Sequence, residues 1–401
     1  MIHKLSFTNF YSFKDTVTID FVVDKNAPDT DSYFTDAYGE RISKIMTIVG
    51  ANASGKTNLL KSVVFLKWFI INSFTGLAPK DNISRRFKPF LFRNQKEVSS
   101  FEIIFEIVDE IYEYKLELTN ERVIKEGLRV KSKETKKWSA IFDRQFKEGT
   151  KEYETNFGKL DVPSDFDKIV RENSSVLSAA RQINNPYAVK IVDYFSKIQS
   201  NIDEADTPNK SNSQSIYSAT EFFQNKPEMK EKAEKILQRF DLGISKVSIQ
   251  KFFKADSTPI YIPMAHHKHS DNDQESALTI FEESGGTRNL FVLLKDILAA
   301  LETGDTVVFD ELDNNLHPLM VPEIINLFRS KNHNPKNAQI FFSTHNVQIL
   351  NELDKPQIVI VEKNEKNISE AWKLTDIEGV RPDDNYYAKY LAGVYGGIPK
   401  F

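Results

Sequence analysis

The sequence predicts an α/β fold: a mixed sheet with flanking helices, an antiparallel β lobe and an inserted helical subdomain. A buried strand, a glycine-rich loop and a helix follow one another over residues 44–66, and residues 276–364 alternate strands with helices. Between these parts, residues 87–148 alternate apolar and polar residues as antiparallel strands do. Residues 164–243 have helical periodicity instead.

The N-terminal part begins with two predicted strands, residues 2–8 and 16–23, joined by a tight aromatic turn at residues 9–13 (NFYSF). Residues 24–43 are polar and contain a proline and a glycine, which predicts a loop. The helix after the glycine-rich loop is expected to run to about residue 74.

That loop, residues 50–57, reads GANASGKT and lies between a strand and a helix, which is the context the P-loop motif requires. Backbone N–H groups of such a loop and the helix N-terminus attract phosphate oxygens. Lys56 is expected to reach the β- and γ-phosphates, and the Thr57 hydroxyl to bind Mg²⁺. A chance Gly-Lys-Thr turn is the alternative. We therefore predict that the chain binds ATP with Mg²⁺. The predicted nucleotide-binding residues of this loop are Asn52, Ala53, Ser54, Gly55, Lys56 and Thr57.

Two later strands end in candidate catalytic residues. Residues 306–309 are apolar and are followed by Asp310 and Glu311, and residues 340–344 are followed by His345. After a P-loop, this carboxylate pair indicates that Asp310 holds Mg²⁺ through water and that Glu311 deprotonates the attacking water. His345 stands one strand–helix–strand step later, where a γ-phosphate sensor is expected. A solvated strand end and a structural histidine are the alternatives.

A second glycine-rich segment, Ser284, Gly285 and Gly286, precedes a helix predicted at residues 291–300. A serine and two glycines at a helix start form an anion cradle. One nucleotide does not require two such cradles in one subunit, so this segment is expected to cap the nucleotide of a second copy. The alternative is a simple helix N-cap at Ser284.

Composition excludes several classes of protein. The 401 residues carry a net charge of −4, which gives no overall footprint for nucleic acid but does not exclude a local basic surface. The absence of cysteine excludes disulfides and thiolate metal sites. We expect a soluble cytoplasmic protein, because the N-terminus lacks a signal-peptide core and no stretch approaches eighteen unbroken apolar residues.

The middle of the chain contains no recognisable catalytic motif. Helices are expected at residues 188–199 and from Lys226 to a C-cap at Gly243, with a flexible polar loop at residues 203–215 between them. The histidines of residues 266–269 (HHKH) are expected in an exposed polar turn rather than a metal site. The predicted domains are residues 1–150 (N-terminal ATPase lobe), 151–243 (helical insertion) and 244–401 (C-terminal ATPase lobe).

The order of these motifs resembles the head of ATP-binding-cassette ATPases, more narrowly the RecF/SMC/OLD-like branch. The chain is most similar to the AAA-labelled ATP-binding proteins of bacterial abortive-infection and related defence loci, the AbiL/RloA-like group. The resemblance covers both ends of the chain, and residues 90–265 match only in general character. The segments that carry it are residues 9–13 (NFYSF), 50–57 (GANASGKT), 283–287 (ESGGT), 310–318 (DELDNNLHP) and 390–399 (YLAGVYGGIP).

The resemblance implies an ATPase that forms a head-to-tail dimer, with two ATP molecules held between P-loop and Ser-Gly-Gly signature; a homodimer or a higher oligomer built through this interface is expected. The chain departs from related patterns at Tyr11, where an arginine is frequent, and at His317, where transporter cassettes carry an aspartate. Gln95 is a candidate for the Q-loop glutamine.

This resemblance implies an ATP-driven switch that controls a separately encoded effector, a nuclease or toxin, in anti-phage defence. One alternative is a DNA-repair ATPase of the RecF/SMC type, for which neither a basic surface nor a long coiled coil is visible. A nuclease of the OLD type would need a Toprim domain, and the 56 residues after His345 (401 minus 345) are too few for one. A transporter cassette fits less well, because it lacks the inserted middle and the Asn-Phe turn.

Overall fold

The computed structural model of the protein describes residues 1–25, 27–76, 78, 81, 83, 88–90, 97–202, 212–240, 243–253, 256–268 and 275–399.

The strands of the first half of the chain are β1 (Ile2–Thr8), β2 (Val17–Asp20), β3 (Tyr33–Thr35), β4 (Arg41–Ser43), β5 (Ile45–Val49), β6 (Ser99–Ile107), β7 (Glu110–Leu118), β8 (Val123–Lys131), β9 (Trp138–Lys147), β10 (Glu152–Asn156) and β11 (Gln199–Ser200). The later strands are β12 (Ile244–Phe253), β13 (Pro259–Lys268), β14 (Glu275–Thr279), β15 (Thr306–Phe309), β16 (Gln339–Ser343), β17 (Ile358–Lys363) and β18 (Ser369–Lys373). The α-helices are α1 (Lys56–Gly76), α2 (Phe166–Ile169), α3 (Val176–Gln182), α4 (Pro186–Lys197), α5 (Asn212–Asn225), α6 (Pro227–Arg239), α7 (Gly285–Thr303), α8 (Met320–Arg329) and α9 (Tyr386–Leu391).

A six-stranded sheet with the order β11-β15-β16-β5-β17-β18 forms the centre of the fold. Its strands run parallel except β18, which pairs antiparallel with β17. Every residue of β5, β15 and β16 is buried, as expected for strands covered on both faces. The carboxyl ends of these three strands therefore lie side by side, and they carry the P-loop, Asp310 and Thr344.

A seven-stranded antiparallel sheet, with the order β10-β9-β8-β7-β6-β1-β2, forms a second layer. Buried and less buried residues alternate along β6, as the sequence predicts for a sheet with one solvated face. The turn between β1 and β2 is also as expected: Phe10 and Phe13 are fully buried and both pack edge-on against Phe7. The mixed sheet, its flanking helices and this antiparallel lobe confirm the predicted fold class.

One local prediction is wrong. Residues 24–43 are not entirely loop, because β3 and β4 pair antiparallel within this segment. Each strand has only three residues, too few for a period of two to stand out among polar neighbours. Tyr33 nonetheless lies buried at their start, and its hydroxyl donates to Asp354 at 2.9 Å.

The helices between residues 151 and 243 pack in two groups. The buried side chains of α3 and α4 join the core of the antiparallel sheet, where Tyr194 stacks on Phe105 with ring centroids 4.9 Å apart. Those of α5 and α6 join the core around α7, where Phe223 contacts Phe291 with centroids 5.2 Å apart. The predicted helical character is present in both groups. The three-part domain division stays a prediction.

Helix ends in this region differ from the expected ones. The helix α4 ends at Lys197, and Gln199 and Ser200 form β11, which pairs in parallel with β15. The predicted loop at residues 203–215 lies outside the described residues up to 211, and α5 begins within its last four. The helix α6 ends at Arg239, before the expected C-cap.

A three-stranded antiparallel sheet, β12-β13-β14, precedes α7. The expected polar turn at residues 266–269 is wrong where the structure describes it, because His266 and His267 belong to β13; His269 lies outside the described residues. The ring of His267 bonds the carboxylate of Glu283 through Nε2 at 2.7 Å. The ring of His266 lies 2.7 Å from the hydroxyl of Ser248 in β12, so both histidines have side-chain partners and neither lies in a turn.

The helix α1 is long and apolar enough to cross a membrane, and in the described part of the chain no other helix meets that test. It is the helix that follows the P-loop, and 61% of its apolar window is buried inside the protein. Its composition is accounted for by its place in the core, where Leu59, Leu60 and Val63 are fully buried.

Candidate nucleotide site

The glycine-rich loop lies between β5 and α1, as the sequence predicts. Gly55 has a φ of +120°, which favours glycine, and a Cβ there would lie 2.6 Å from the Ser369 hydroxyl oxygen. Asn52 and Ala53 are exposed, whereas Ser54 and Gly55 are buried. The loop therefore presents Asn52 and Ala53 to solvent just before a long helix.

Lys56 is the first residue of α1, and its side chain folds back over the loop. Its ammonium donates to the carbonyl oxygens of Gly50 at 2.9 Å and Ala51 at 3.0 Å. Burial lowers the pKa of Lys56, and the carboxylates of Asp310, Glu311 and Asp313 oppose that shift. The residue is 6% exposed, so the loop holds a partly desolvated cation without a carboxylate bonded to it.

Asp310 lies between two hydroxyl groups that come from distant parts of the chain. Thr57 donates to one carboxylate oxygen at 2.7 Å, and Ser343, at the end of β16, donates to the other at 2.5 Å. A carboxylate and a hydroxyl are the oxygen ligands that Mg²⁺ prefers. Thr57 and Asp310 therefore offer a donor set that fits Mg²⁺.

Glu311 and His345 face each other across the ends of β15 and β16. The Nε2 atom of His345 lies 3.3 Å from Oε1 of Glu311, and both side chains are more than a third exposed. The Glu311 N–H donates to the Ser343 hydroxyl at 2.8 Å, and the His345 N–H donates to the Asp313 carboxylate at 3.1 Å. Backbone hydrogen bonds thus hold both residues at the mouth of the site.

A pocket of about 430 Å³ connects these groups. It brings together most of the residues that the sequence selects, and Asp310 adjoins it through Thr57. The residues that line the pocket are Asn52, Ala53, Gly55, Lys56, Thr57, Asn58, Glu311, His345 and Lys363. A 430 Å³ cleft lies within the range of small-molecule and cofactor sites.

The Ser-Gly-Gly segment is not brought to this pocket. Within the described ranges, the lining residues include none of Ser284, Gly285 and Gly286. Ser284 is the N-cap of α7, which begins at Gly285, six residues before the predicted start, and its hydroxyl accepts from the Thr287 N–H at 3.2 Å. A Cβ on Gly286 would lie 2.5 Å from the Asn315 carbonyl, so packing within the chain requires that glycine. Ser284 and Gly285 are exposed.

Two further residues touch the site, although the sequence does not assign them a role. The Asn201 side chain, directly after β11, donates to the Asp310 carbonyl and accepts from the Asp310 N–H, both at 2.8 Å. Lys363 lines the pocket from the end of β17. Neither residue belongs to a recognisable motif. The sequence indicates only the strand that Lys363 ends. Gln95, the Q-loop candidate, lies outside the described residues.

The parallel sheet, the P-loop before α1 and the acidic strand end beside it define a P-loop ATPase domain of the α/β class. The chain belongs to the family described as "AAA domain, putative AbiEii toxin, Type IV TA system", whose model matches residues 45–351. This match confirms the resemblance to ATP-binding proteins of abortive-infection loci at the level of the family.

Solved structures with a similar fold include SMC head domains. The head domain from Thermotoga maritima is 15% identical, with a TM-score of 0.41 over 93% of this chain and 98% of that chain. The head domain of Pyrococcus yayanosii, solved with a coiled coil and joint, is 12% identical, with a TM-score of 0.44 over 98% of this chain and 99% of that chain. A comparison with curated proteins gives no significant match.

Proposed function

We propose that this protein is an ATP-binding and ATP-hydrolysing switch that dimerises around ATP and controls a separately encoded effector in bacterial defence. The observation that carries the proposal is the Asp310 carboxylate, bonded to Thr57 on one side and Ser343 on the other, beside the pocket that Lys56, Glu311 and His345 line. These are the groups that phosphoryl transfer to water requires, in one place.

Each residue has a distinct role in this proposal. Lys56 exchanges its loop carbonyls for phosphate oxygens, and charge-assisted hydrogen bonds of this kind are strong. Thr57 and Asp310 hold Mg²⁺, which neutralises charge on the phosphates. Glu311 accepts a proton from the attacking water, and His345, 3.3 Å from it, orients the terminal phosphate.

Dimerisation is supported by what the pocket lacks. Ser284 and Gly285 are exposed at the start of α7 and do not line the pocket of their own chain. The helix α7 has 19 residues, so its N-terminus carries a substantial partial positive charge. In the proposed dimer, this N-terminus caps the nucleotide bound by the P-loop of the other copy.

Mixing two inactive variants tests this arrangement. Ser284→Arg and Lys56→Ala should each inactivate their own homodimer, the first by blocking the cap and the second by weakening phosphate binding. A heterodimer of the two contains one intact site, with the P-loop from one copy and the cap from the other. ATP hydrolysis should therefore reappear when the two purified proteins are mixed.

Each variant at the same total concentration is the control, and melting temperatures check folding, because losing the Ser284 cap costs about 1 kcal/mol. If heterodimers form, as a mass-tagged copy would reveal, and hydrolysis does not recover, capping across the dimer is wrong.

The middle of the chain contacts the nucleotide site at Asp310 and also contacts α7, whose N-terminus is the proposed cap, which supports control of an effector. Asn201 bonds both backbone groups of Asp310, and α5 packs on α7 through Phe223 and Phe291. A movement of either site element on ATP binding would displace the segments between residues 151 and 243. We expect this region to expose or cover a surface for the effector, a nuclease or toxin.

If the effector is a separate chain, the purified protein should have no nuclease activity of its own. We propose that the protein is cytoplasmic. After purification it should hydrolyse ATP and leave DNA and RNA uncut, because the motifs found in this chain serve phosphoryl transfer from ATP to water. Phosphate release and gel analysis of nucleic acids in the same reaction test this. Nuclease activity that persists through purification and is lost in Glu311→Gln would contradict it, and hydrolysis stimulated by DNA ends would favour a repair ATPase.

A further inference from the structure

Lys363 is the second lysine of the nucleotide pocket. It is the last residue of β17, the strand beside the P-loop strand β5. Its side chain is half-buried and lines the same pocket as Asn52, Ala53 and Lys56. The roles proposed above do not require it, so its presence calls for a physical account.

Close backbone packing fixes the position of Lys363 beside the loop. A Cβ on Gly50 would lie 2.1 Å from the Val361 carbonyl oxygen, so β17 approaches the start of the P-loop more closely than any other residue at position 50 would allow. This contact is formed only because Gly50 has no side chain. The chain two residues further on, at Lys363, is thereby held at the edge of the nucleotide pocket.

The strand pairing sets the direction of its side chain. Lys363 stands directly opposite Ser369 in the antiparallel pair of β17 and β18. Residues directly opposite in such a pair project from the same face of the sheet. The hydroxyl of Ser369 donates to the carbonyl oxygen of Ser54 in the P-loop. The Lys363 side chain therefore leaves the sheet on the face that meets the P-loop.

Lys363 forms no ion pair with the described residues of the protein. Its neighbour Glu362 instead accepts from the Gly397 N–H at 2.7 Å. Within the described part of the chain, the other lysine of the pocket, Lys56, bonds two carbonyl oxygens and no carboxylate. Two lysine ammonium groups line one pocket, and no carboxylate of the described residues bonds either of them, which favours a ligand with several negative charges.

We propose that the Lys363 ammonium binds the phosphate chain of the nucleotide, as a second cation beside Lys56. This inference rests on the proposed nucleotide site and adds a residue to it. A flexible lysine acts on phosphate as a point charge, so an arginine at this position keeps the charge and the reach. An uncharged side chain of similar length, such as glutamine, loses the charge.

The test compares Lys363→Ala, Lys363→Gln and Lys363→Arg with Lys366→Ala, a control that removes an exposed lysine from the turn between β17 and β18. Isothermal titration with ATP and with ADP, each with Mg²⁺, gives Kd. Loss of a charge-assisted contact should raise Kd about 10-fold or more in the alanine and glutamine variants. The arginine variant and the Lys366→Ala control should stay near wild type.

A second readout separates charge from a merely structural role. The dependence of Kd on salt concentration should be weaker for Lys363→Gln than for wild type, because one fewer cation faces the phosphates. Wild-type Kd in folded Lys363→Ala, together with lost binding in Lys56→Ala, would overturn this inference and leave the nucleotide site standing. Wild-type Kd in both variants would overturn the nucleotide site as well.

Discussion

Replacing Glu311 by glutamine should lower kcat for ATP hydrolysis by about 10²- to 10⁴-fold, the contribution typical of a general base. The amide has nearly the same shape as the carboxylate and should still reach Nε2 of His345, which lies 3.3 Å from Oε1 of Glu311 in the wild type. Unlike the carboxylate, it accepts no proton from water. Nucleotide affinity should change little, because Glu311 follows β15 and is not part of the loop that is proposed to hold the phosphates. Phosphate release and nucleotide titration on the same protein measure both quantities.

Glu365→Gln is the matched control, since Glu365 is an exposed glutamate in the turn between β17 and β18. It should hydrolyse ATP as wild type does. Wild-type turnover by Glu311→Gln would show that another group activates the water.

Replacing Lys56 by alanine should weaken ATP binding by about 100-fold or more, since several charge-assisted contacts to phosphate are lost together. The fold should survive, because the bonds of the lysine side chain to the described residues are two, to the loop carbonyl oxygens of Gly50 and Ala51. Titration with ATP and Mg²⁺ measures the affinity, and thermal unfolding checks the fold.

Lys67→Ala provides the control on the same helix, eleven residues or about three turns further along α1. It should bind ATP as wild type does. Unchanged binding by folded Lys56→Ala protein would remove the basis for a P-loop site here.

The sequence is sufficient to predict the local parts of this site. The loop 50–57 combines fixed glycines with a strand before it and a helix after it, and the strand that precedes Asp310 is a continuous apolar run. Each signal lies within a few consecutive residues. The strands of a parallel sheet are buried on both faces, so each of them appears in the sequence as a continuous apolar run. That the three strand ends meet follows from their parallel order.

Contacts between distant segments are not predictable in this way. Ser343 holds Asp310 across 33 residues, and Asn201 holds its backbone across 109. Serine and asparagine are common at strand ends, so neither stands out before the fold is known. The role of Asn201 depends on a two-residue strand, β11, which is too short to give any period.

Glycines illustrate the same limit. Gly55 is recognisable because the P-loop motif fixes it, and its φ of +120° agrees with that. Gly286 looks like part of an anion cradle in the sequence. In the fold, close contact with the Asn315 carbonyl is enough to require a glycine at position 286, whether or not the segment binds an anion. The expectation that this segment caps the nucleotide of a second copy therefore rests on the exposed atoms of Ser284 and Gly285.

The central claim, that ATP closes a dimer of this chain, is tested most directly by the molar mass of Glu311→Gln in solution. Light scattering during size-exclusion chromatography should give a dimer with ATP and Mg²⁺, because the variant binds ATP without consuming it. With ADP, which lacks the terminal phosphate, the dimer should not accumulate. A mass that is the same with ATP, with ADP and without nucleotide, in protein shown by titration to bind ATP, would contradict the account.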